Sequence, residues 1–334
     1  MSDASVIAAR EGRIGRITLN RPKALNALDL PMIAAIATAL AEWRGDPAVH
    51  AVVIDSASDR AFCAGGDIRA VRSAALAGDA PLVEKFFADE YALNATIADY
   101  PKPYVALIDG ICMGGGIGVS VHGRIRVATE AALFAMPETA IGMFPDIGAT
   151  YFLPRLPGEL GVFLGLTGTR VAGADAVHAG LATHFVPRES LAALCAALPH
   201  EGVEAVAEFS QTLPPFSLAP YRAAIDRCFA APAMGEILAR LQAEDTDWAR
   251  EVLAVLAGMS PSALCWSLAA IRRGAGLELH RALAAELRLT RHVTQHPDFA
   301  EGVRAMVVDK DRNPRWTPPT LAEVDPADIA AMLE

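Results

Sequence analysis

Cysteine is scarce in this 334-residue sequence. The five residues, Cys63, Cys112, Cys195, Cys228 and Cys265, are far apart, odd in number and without a CxxC spacing. That excludes a disulfide framework and a zinc knuckle, and leaves the thiols as small apolar packing groups. No stretch resembles a membrane span, because the most apolar run, Val105 to Val121, is broken by Asp109 and crowded with glycines. A soluble protein without a membrane partner is expected. The start, MSDASVIAAREGR, lacks a signal-peptide core and the acid-free Arg/Ser character of an import sequence, so the expected location is cytoplasmic. Positive charge is in deficit, 29 basic residues against 39 acidic for a net charge of −10, and nucleic acid is not an expected partner. Metal-ligand spacing is also missing. His292 and His296 stand at i and i+4, but no glutamate follows the first, so no metal is expected and a solvated helix face is.

Apolar side chains are abundant, at 53%, with only 20% charged, which excludes disorder. A chain of this length buries about three quarters of its unfolded surface, enough core to hold a defined pocket. The first half alternates β-branched runs with helical patterns, the signature of an α/β fold. Strands are expected at Ile14–Leu19, 51–54, Tyr104–Ile108 and 124–128. A helix is expected over 29–43, with Asp29 as cap, Pro31 in its opening turn, and Ile33, Ile36, Leu40 and Trp43 on its apolar face. From about residue 200 the strand pattern fades into Ala-, Leu-, Glu- and Arg-rich helices with caps such as Ser260 before Pro261. The expected division is therefore a core over 1–200 carrying the site and a helical region over 201–334 packed on it.

Two glycine turns follow strands: Phe62-Cys63-Ala64-Gly65-Gly66-Asp67-Ile68, and Gly114-Gly115-Gly116 with Gly118. Neither fits GxGxxG, and no GxxxxGK[ST] occurs, so a nucleotide cofactor is not indicated. Two such turns can aim two N–H groups at one oxygen, which is how an oxyanion hole is made, or can serve only as tight strand–helix connections. Downstream, Glu138 and Asp146 lie amid apolar residues, glycines and prolines, in surroundings that raise carboxylate pKa values. A pocket with a base and an oxyanion hole is the functional reading of these parts; cap or turn duty is the other.

NRPKALNAL at Asn20 to Leu28, FCAGGDI, MGGGIG and PETAIGMFPDIG resemble, in order and spacing, the crotonase (enoyl-CoA hydratase/isomerase) superfamily. The run Gly114 to Arg155, DEYALN at Asp89 to Asn94, and DFAEGVRAMVVDKDRNPRW are more similar to its 3-hydroxyisobutyryl-CoA hydrolase branch. The resemblance implies a spiral of ββα turns followed by a helical carboxyl-terminal region, often assembled as a homo-oligomer, typically a trimer. It implies oxyanion-hole N–H groups at Gly66 and Gly115. Asp67, Ile68 and Arg69 would line the coenzyme A and acyl path, Lys23, Ala24 and Leu25 its adenosine end, and Glu90 would be a further substrate-side carboxylate. Of the two glutamates of the superfamily's hydratases only Glu138 is matched; the other falls on Gly118.

The implied activity is hydrolysis of an acyl-CoA thioester, a step of valine breakdown, with no cofactor because coenzyme A is part of the substrate. Glu138 would act as base or nucleophile and Asp146 would assist. Alternatives are an enoyl-CoA hydratase or isomerase using Glu138 alone, and a non-catalytic acyl-CoA-binding protein. Cys63 and Cys112 flank the glycine turns without a neighbouring histidine, so packing is their expected role.

Overall fold

The computed structural model describes residues 4–334, which form two compact units. The first comprises residues 4–67, Asp89–Ala135 and Arg170–Ser217; the second comprises Ile68–Ala88, Met136–Thr169 and Leu218–Glu334. The expected single cut near residue 200 is thus replaced by an interleaved division. Two segments from within the first half, 68–88 and 136–169, pack with the later helices because they are themselves mainly helical or looped and contribute no strand.

The first unit holds ten strands: β1 (Val6–Glu11), β2 (Ile14–Leu19), β3 (Ala51–Ser56), β4 (Ala61–Cys63), β5 (Tyr104–Ile108), β6 (Ile111–Met113), β7 (Ile125–Ala128), β8 (Leu133–Ala135), β9 (Val171–Ala172) and β10 (His184–Phe185). One sheet has the order β1-β2-β3-β5-β7-β10 and the other β4-β6-β8-β9. From β3 to β8 the strands alternate between the sheets, with connections of residues 57–60, 109–110 and 129–132 inside each pair. This alternation is the ββα spiral. β2, β3, β5 and β7 run parallel; β5 and the first four residues of β3 are buried throughout and apolar in character, as strand segments covered on both faces are. Val53, Val105, Leu107 and Val127 meet Leu194 and Leu198 in the core on one side.

The helix expected over 29–43 occurs as Leu30–Arg44, with the Asp29 carboxylate accepting the Met32 N–H at 2.9 Å and Ile33, Ile36, Leu40 and Trp43 buried. The strands expected at Ile14–Leu19 and Tyr104–Ile108 have those bounds. β1 was not expected: only Val6 of its six residues is buried, so no alternation marks it, and it forms by antiparallel pairing with β2.

In the second unit, helix Leu160–Thr167 is buried along its whole length, with Phe163 edge-on to Phe229 at 5.3 Å. Ser260 caps helix Pro261–Gly274 as expected, accepting the Ala263 N–H at 3.0 Å. Among the described residues no single helix is long and apolar enough to cross a membrane.

The Ile17→Ala variant, at a fully buried β2 position, is expected to lower stability by about 2–5 kcal/mol. Ile7→Ala, on exposed β1, should change it by less than about 0.5 kcal/mol. Denaturant titration of the two variants beside the parent checks the difference.

Candidate active site

Parallel pairing of β4 with β6, in which Cys63 stands opposite Cys112, brings the ends of these strands together, and each strand runs directly into a glycine turn. After β4, Leu28 donates its N–H to the Gly65 carbonyl and Asp67 donates to the Leu28 carbonyl, both at 2.8 Å, forming a parallel bridge between Leu28 and Gly66. In such a bridge the neighbours of Gly66 make the bonds, so its own N–H faces away from Leu28. After β6, Gly115 opens helix Gly115–Val121, and the first N–H groups of a helix have no acceptor within it. A Cβ atom built on Gly115 would stand 3.2 Å from the Gly66 nitrogen and 2.3 Å from Oε1 of Glu90. The two turns and the carboxylate therefore meet, and only glycine leaves room for the carboxylate.

Glu90 is 2% exposed and projects from helix Ala80–Ala98. Its charge adds to the effect of burial in pushing the Cys63 thiol up to about 12, so Cys63 is a neutral packing group at physiological pH. Burial does the same to Cys112, in line with the role expected of both.

The segment Lys23-Ala24-Leu25 adjoins the first glycine turn: Ala64 donates its N–H to the Leu25 carbonyl at 3.0 Å, and Arg21 pairs with Asp67 at 2.9 Å. Lys23 is exposed; Ala24 and Leu25 are half-buried. Asn26, fully buried, holds this loop in place. Its amide donates to Ser56 Oγ at 2.7 Å and the Phe62 carbonyl at 2.9 Å, while its Oδ1 accepts the Arg21 N–H at 2.7 Å. Sequence reasoning missed Asn26, whose partners lie 30 and 36 residues away. Of the expected site residues, the first unit thus gathers Gly66, Asp67, Glu90, Gly115 and the 23–25 segment.

The second unit carries Ile68, Arg69, Glu138 and Asp146. Glu138 and Asp146 are each 6% exposed. Glu138 opens a one-turn helix, Glu138–Ile141, and its carbonyl accepts the Met143 N–H at 3.0 Å; Trp266 donates its indole N–H to the Met143 carbonyl at 3.2 Å. Beyond Asp146, the backbone N–H of Gly148 donates to Glu286 at 2.7 Å. Glu286 is also a residue that sequence reasoning missed. Burial, and next the hydrogen bonds and the charge of Asp146, set its carboxyl pKa at about 8. Arg69 donates to the Val307 carbonyl and Arg72 to that of Ala300, so this stretch is tied to helix Pro297–Val303 and its continuation. A cavity of about 820 Å³ lies beside them, lined by Val83, Glu84, Thr290 and Arg291 among others and by none of the expected site residues.

His292 and His296 do not share a helix face as expected. Helix Leu279–Val293 ends between them, and His296 caps the next helix, accepting the Asp298 N–H at 3.2 Å. Among the described residues no group of three His, Cys, Asp or Glu is placed to hold a metal ion.

A family profile for enoyl-CoA hydratase/isomerase matches residues 14–333. The chain is 46% identical to the mitochondrial 3-hydroxyisobutyryl-CoA hydrolase of Xenopus tropicalis over 97% of its own length and 87% of the relative's. It is 45% identical to that of Homo sapiens over the same shares. Among solved structures, a carnitinyl-CoA dehydratase from Mycobacterium thermoresistibile superimposes with a TM-score of 0.96 at 42% identity, covering 99% of this chain and 97% of that one. An enoyl-CoA hydratase from Rhodobacter sphaeroides 2.4.1 gives 0.94 at 43% identity, with the same coverage. The cytoplasmic location expected from the N-terminal composition is overturned by these relatives, the hydrolases being mitochondrial proteins.

The Glu286 carboxyl binds its proton more tightly folded, at a pKa of about 8, than an ordinary glutamate does at 4.5. Its contribution to stability is therefore full below the unfolded value and is lost as pH rises through about 8. The charged group facing it is Asp146. The stability of the parent relative to Glu286→Gln is expected to fall between pH 5 and pH 9 when both are denatured thermally across that range. A pH-independent difference would contradict the assignment.

Proposed function

The chain belongs to the enoyl-CoA hydratase/isomerase family, and within that family we propose that it hydrolyses the thioester of 3-hydroxyisobutyryl-CoA to 3-hydroxyisobutyrate and coenzyme A, a step of valine breakdown. The observation that carries the reading is identity of 45–46% over 97% of the chain with 3-hydroxyisobutyryl-CoA hydrolases. The Gly66, Gly115 and Glu90 cluster supports it chemically.

Thioester hydrolysis needs a polarised carbonyl, a nucleophile and departure of a thiolate. In the proposed reaction the N–H groups of Gly66 and Gly115 donate to the carbonyl oxygen and stabilise the negative charge it gains as the carbon becomes tetrahedral. Each such donor is worth about 3–4 kcal/mol at the transition state. Glu138 takes a proton from the attacking water, or attacks the carbonyl carbon itself to give a mixed anhydride that water then opens. Collapse of the tetrahedral species breaks the C–S bond, and the thiolate leaves and is protonated. Asp146 orients Glu138, the water or the substrate's 3-hydroxyl, and Glu90 contacts the same hydroxyl or the acyl group. The remaining residues of the path, Lys23, Ala24, Leu25, Asp67, Ile68 and Arg69, contact the coenzyme A portion.

A second reading is favoured by the solved structures described as a hydratase and a dehydratase at 42–43% identity. Water addition across a double bond calls for groups that place the water and shuttle protons at the α-carbon. The position of one of the two glutamates of such hydratases is held here by Gly118, in helix Gly115–Val121. With a single carboxylate at that pair of positions, thioester cleavage is the better supported chemistry.

Release of free thiol from 3-hydroxyisobutyryl-CoA is expected from the purified chain. Glu138→Gln and Asp146→Asn should each lower it by at least about 100-fold. Isobutyryl-CoA, lacking the hydroxyl, should be a far poorer substrate, because a buried carboxylate then loses its donor. Hydration of crotonyl-CoA without thiol release would support the second reading. Thermal stabilisation by acyl-CoA with no turnover would reduce the protein to a binder.

A further inference from the structure

Glu286 takes no part in the reaction as written, yet it is 1% exposed and bonded through both oxygens to the loop that carries Asp146. It projects from helix Leu279–Val293. Oε2 accepts the Gly148 N–H at 2.7 Å; Oε1 accepts the Thr150 N–H at 2.9 Å and the Thr150 hydroxyl at 2.6 Å.

Two features show that this loop depends on an outside clamp, and a third ties Asp146 to the clamped atoms. Ile147, next to Asp146, has φ of 57°, a left-handed conformation that a β-branched side chain resists and that persists only where the surroundings impose it. The helix that follows, Ala149–Phe152, is a single turn, so its leading N–H groups have no acceptors within the helix, and Glu286 supplies one for Gly148 at its cap and one for Thr150. The Asp146 carbonyl accepts the Ala149 N–H at 2.8 Å, which puts Asp146 in the same turn as the atoms that Glu286 holds. A mere space-filler at position 286 would not need a carboxyl group buried within the field of a second acid, an arrangement that works against its ionised form.

We propose that Glu286 is a positioning residue for Asp146: by fixing the Ile147–Thr150 turn it sets where the Asp146 carboxyl group points. This rests on the reading of Asp146 as a participant in thioester hydrolysis.

The test is a double-mutant cycle on the full chain, reading kcat and KM for 3-hydroxyisobutyryl-CoA together with the thermal midpoint. Glu286→Gln turns one acceptor into a donor facing a backbone N–H. It is expected to lower kcat about 10- to 100-fold with KM nearly unchanged, as a displaced catalytic group does. In an Asp146→Asn background the same substitution should lower kcat less than about threefold further, because the group it positions is already disabled. Thr150→Val, which removes one of the three bonds, provides a milder variant if Glu286→Gln folds poorly. A smaller kcat loss with the same non-additivity is expected of it. Equal losses of kcat in the two backgrounds, or a lowered thermal midpoint with kcat intact, would overturn the proposal. Full activity of Asp146→Asn alone would instead remove the reading on which it rests.

Discussion

At Gly115 the main chain passes so near the Glu90 carboxylate that a Cβ atom would lie 2.3 Å from Oε1 and 3.2 Å from the Gly66 nitrogen. Much of the first unit's architecture serves this close approach. It needs β4 and β6 side by side and parallel, so that both strands end at one place, and it needs each strand to run straight into its turn with no side chain in the way. It also needs the turn after β4 to be held, which Leu25 and Leu28 do through backbone bonds with Ala64, Gly65 and Asp67, while the buried Asn26 ties their loop to the Phe62 carbonyl and the Ser56 hydroxyl. The spiral alternation of strands between two sheets produces that parallel pair, since it returns a strand to the smaller sheet after each of β3, β5 and β7.

The acids are placed by a different principle. Glu138 and Asp146 lie in a segment with almost no regular structure, and such a segment holds a fixed conformation only if its backbone groups are bonded from outside. Trp266 and Glu286 provide this, from helices 123 and 138 residues further along the chain. On the proposed reading the helical carboxyl-terminal region has a chemical task besides burying apolar surface: it fixes the backbone that carries the two carboxylates.

How much of this was legible in the sequence follows from the range of each interaction. β2, β5 and the capped helix Leu30–Arg44 were readable because their signals are local: apolar runs, a capping aspartate and a proline in the first turn. β4, β6 and β8 have three residues each, too few to show a period, and exist by virtue of their pairing. The glycine turns and the acids were readable as motifs, and their resemblance to the crotonases named the family correctly. The roles of Asn26 and Glu286 were hidden, because both act across long stretches of chain. The interleaved division into two units was hidden for the same reason. The compartment was misread, since composition governs solvation and carries no address.

In the proposed reaction the Gly66 and Gly115 N–H groups polarise a thioester carbonyl. The most direct measurement is the difference infrared spectrum of 3-hydroxyisobutyryl-CoA labelled with carbon-13 at the thioester carbonyl, bound to the slow Glu138→Gln variant. A carbonyl stretch at lower frequency than the same ester shows in water is expected, because two aligned donors withdraw electron density from the C=O bond more strongly than solvent does. A stretch at or above the aqueous frequency would contradict it.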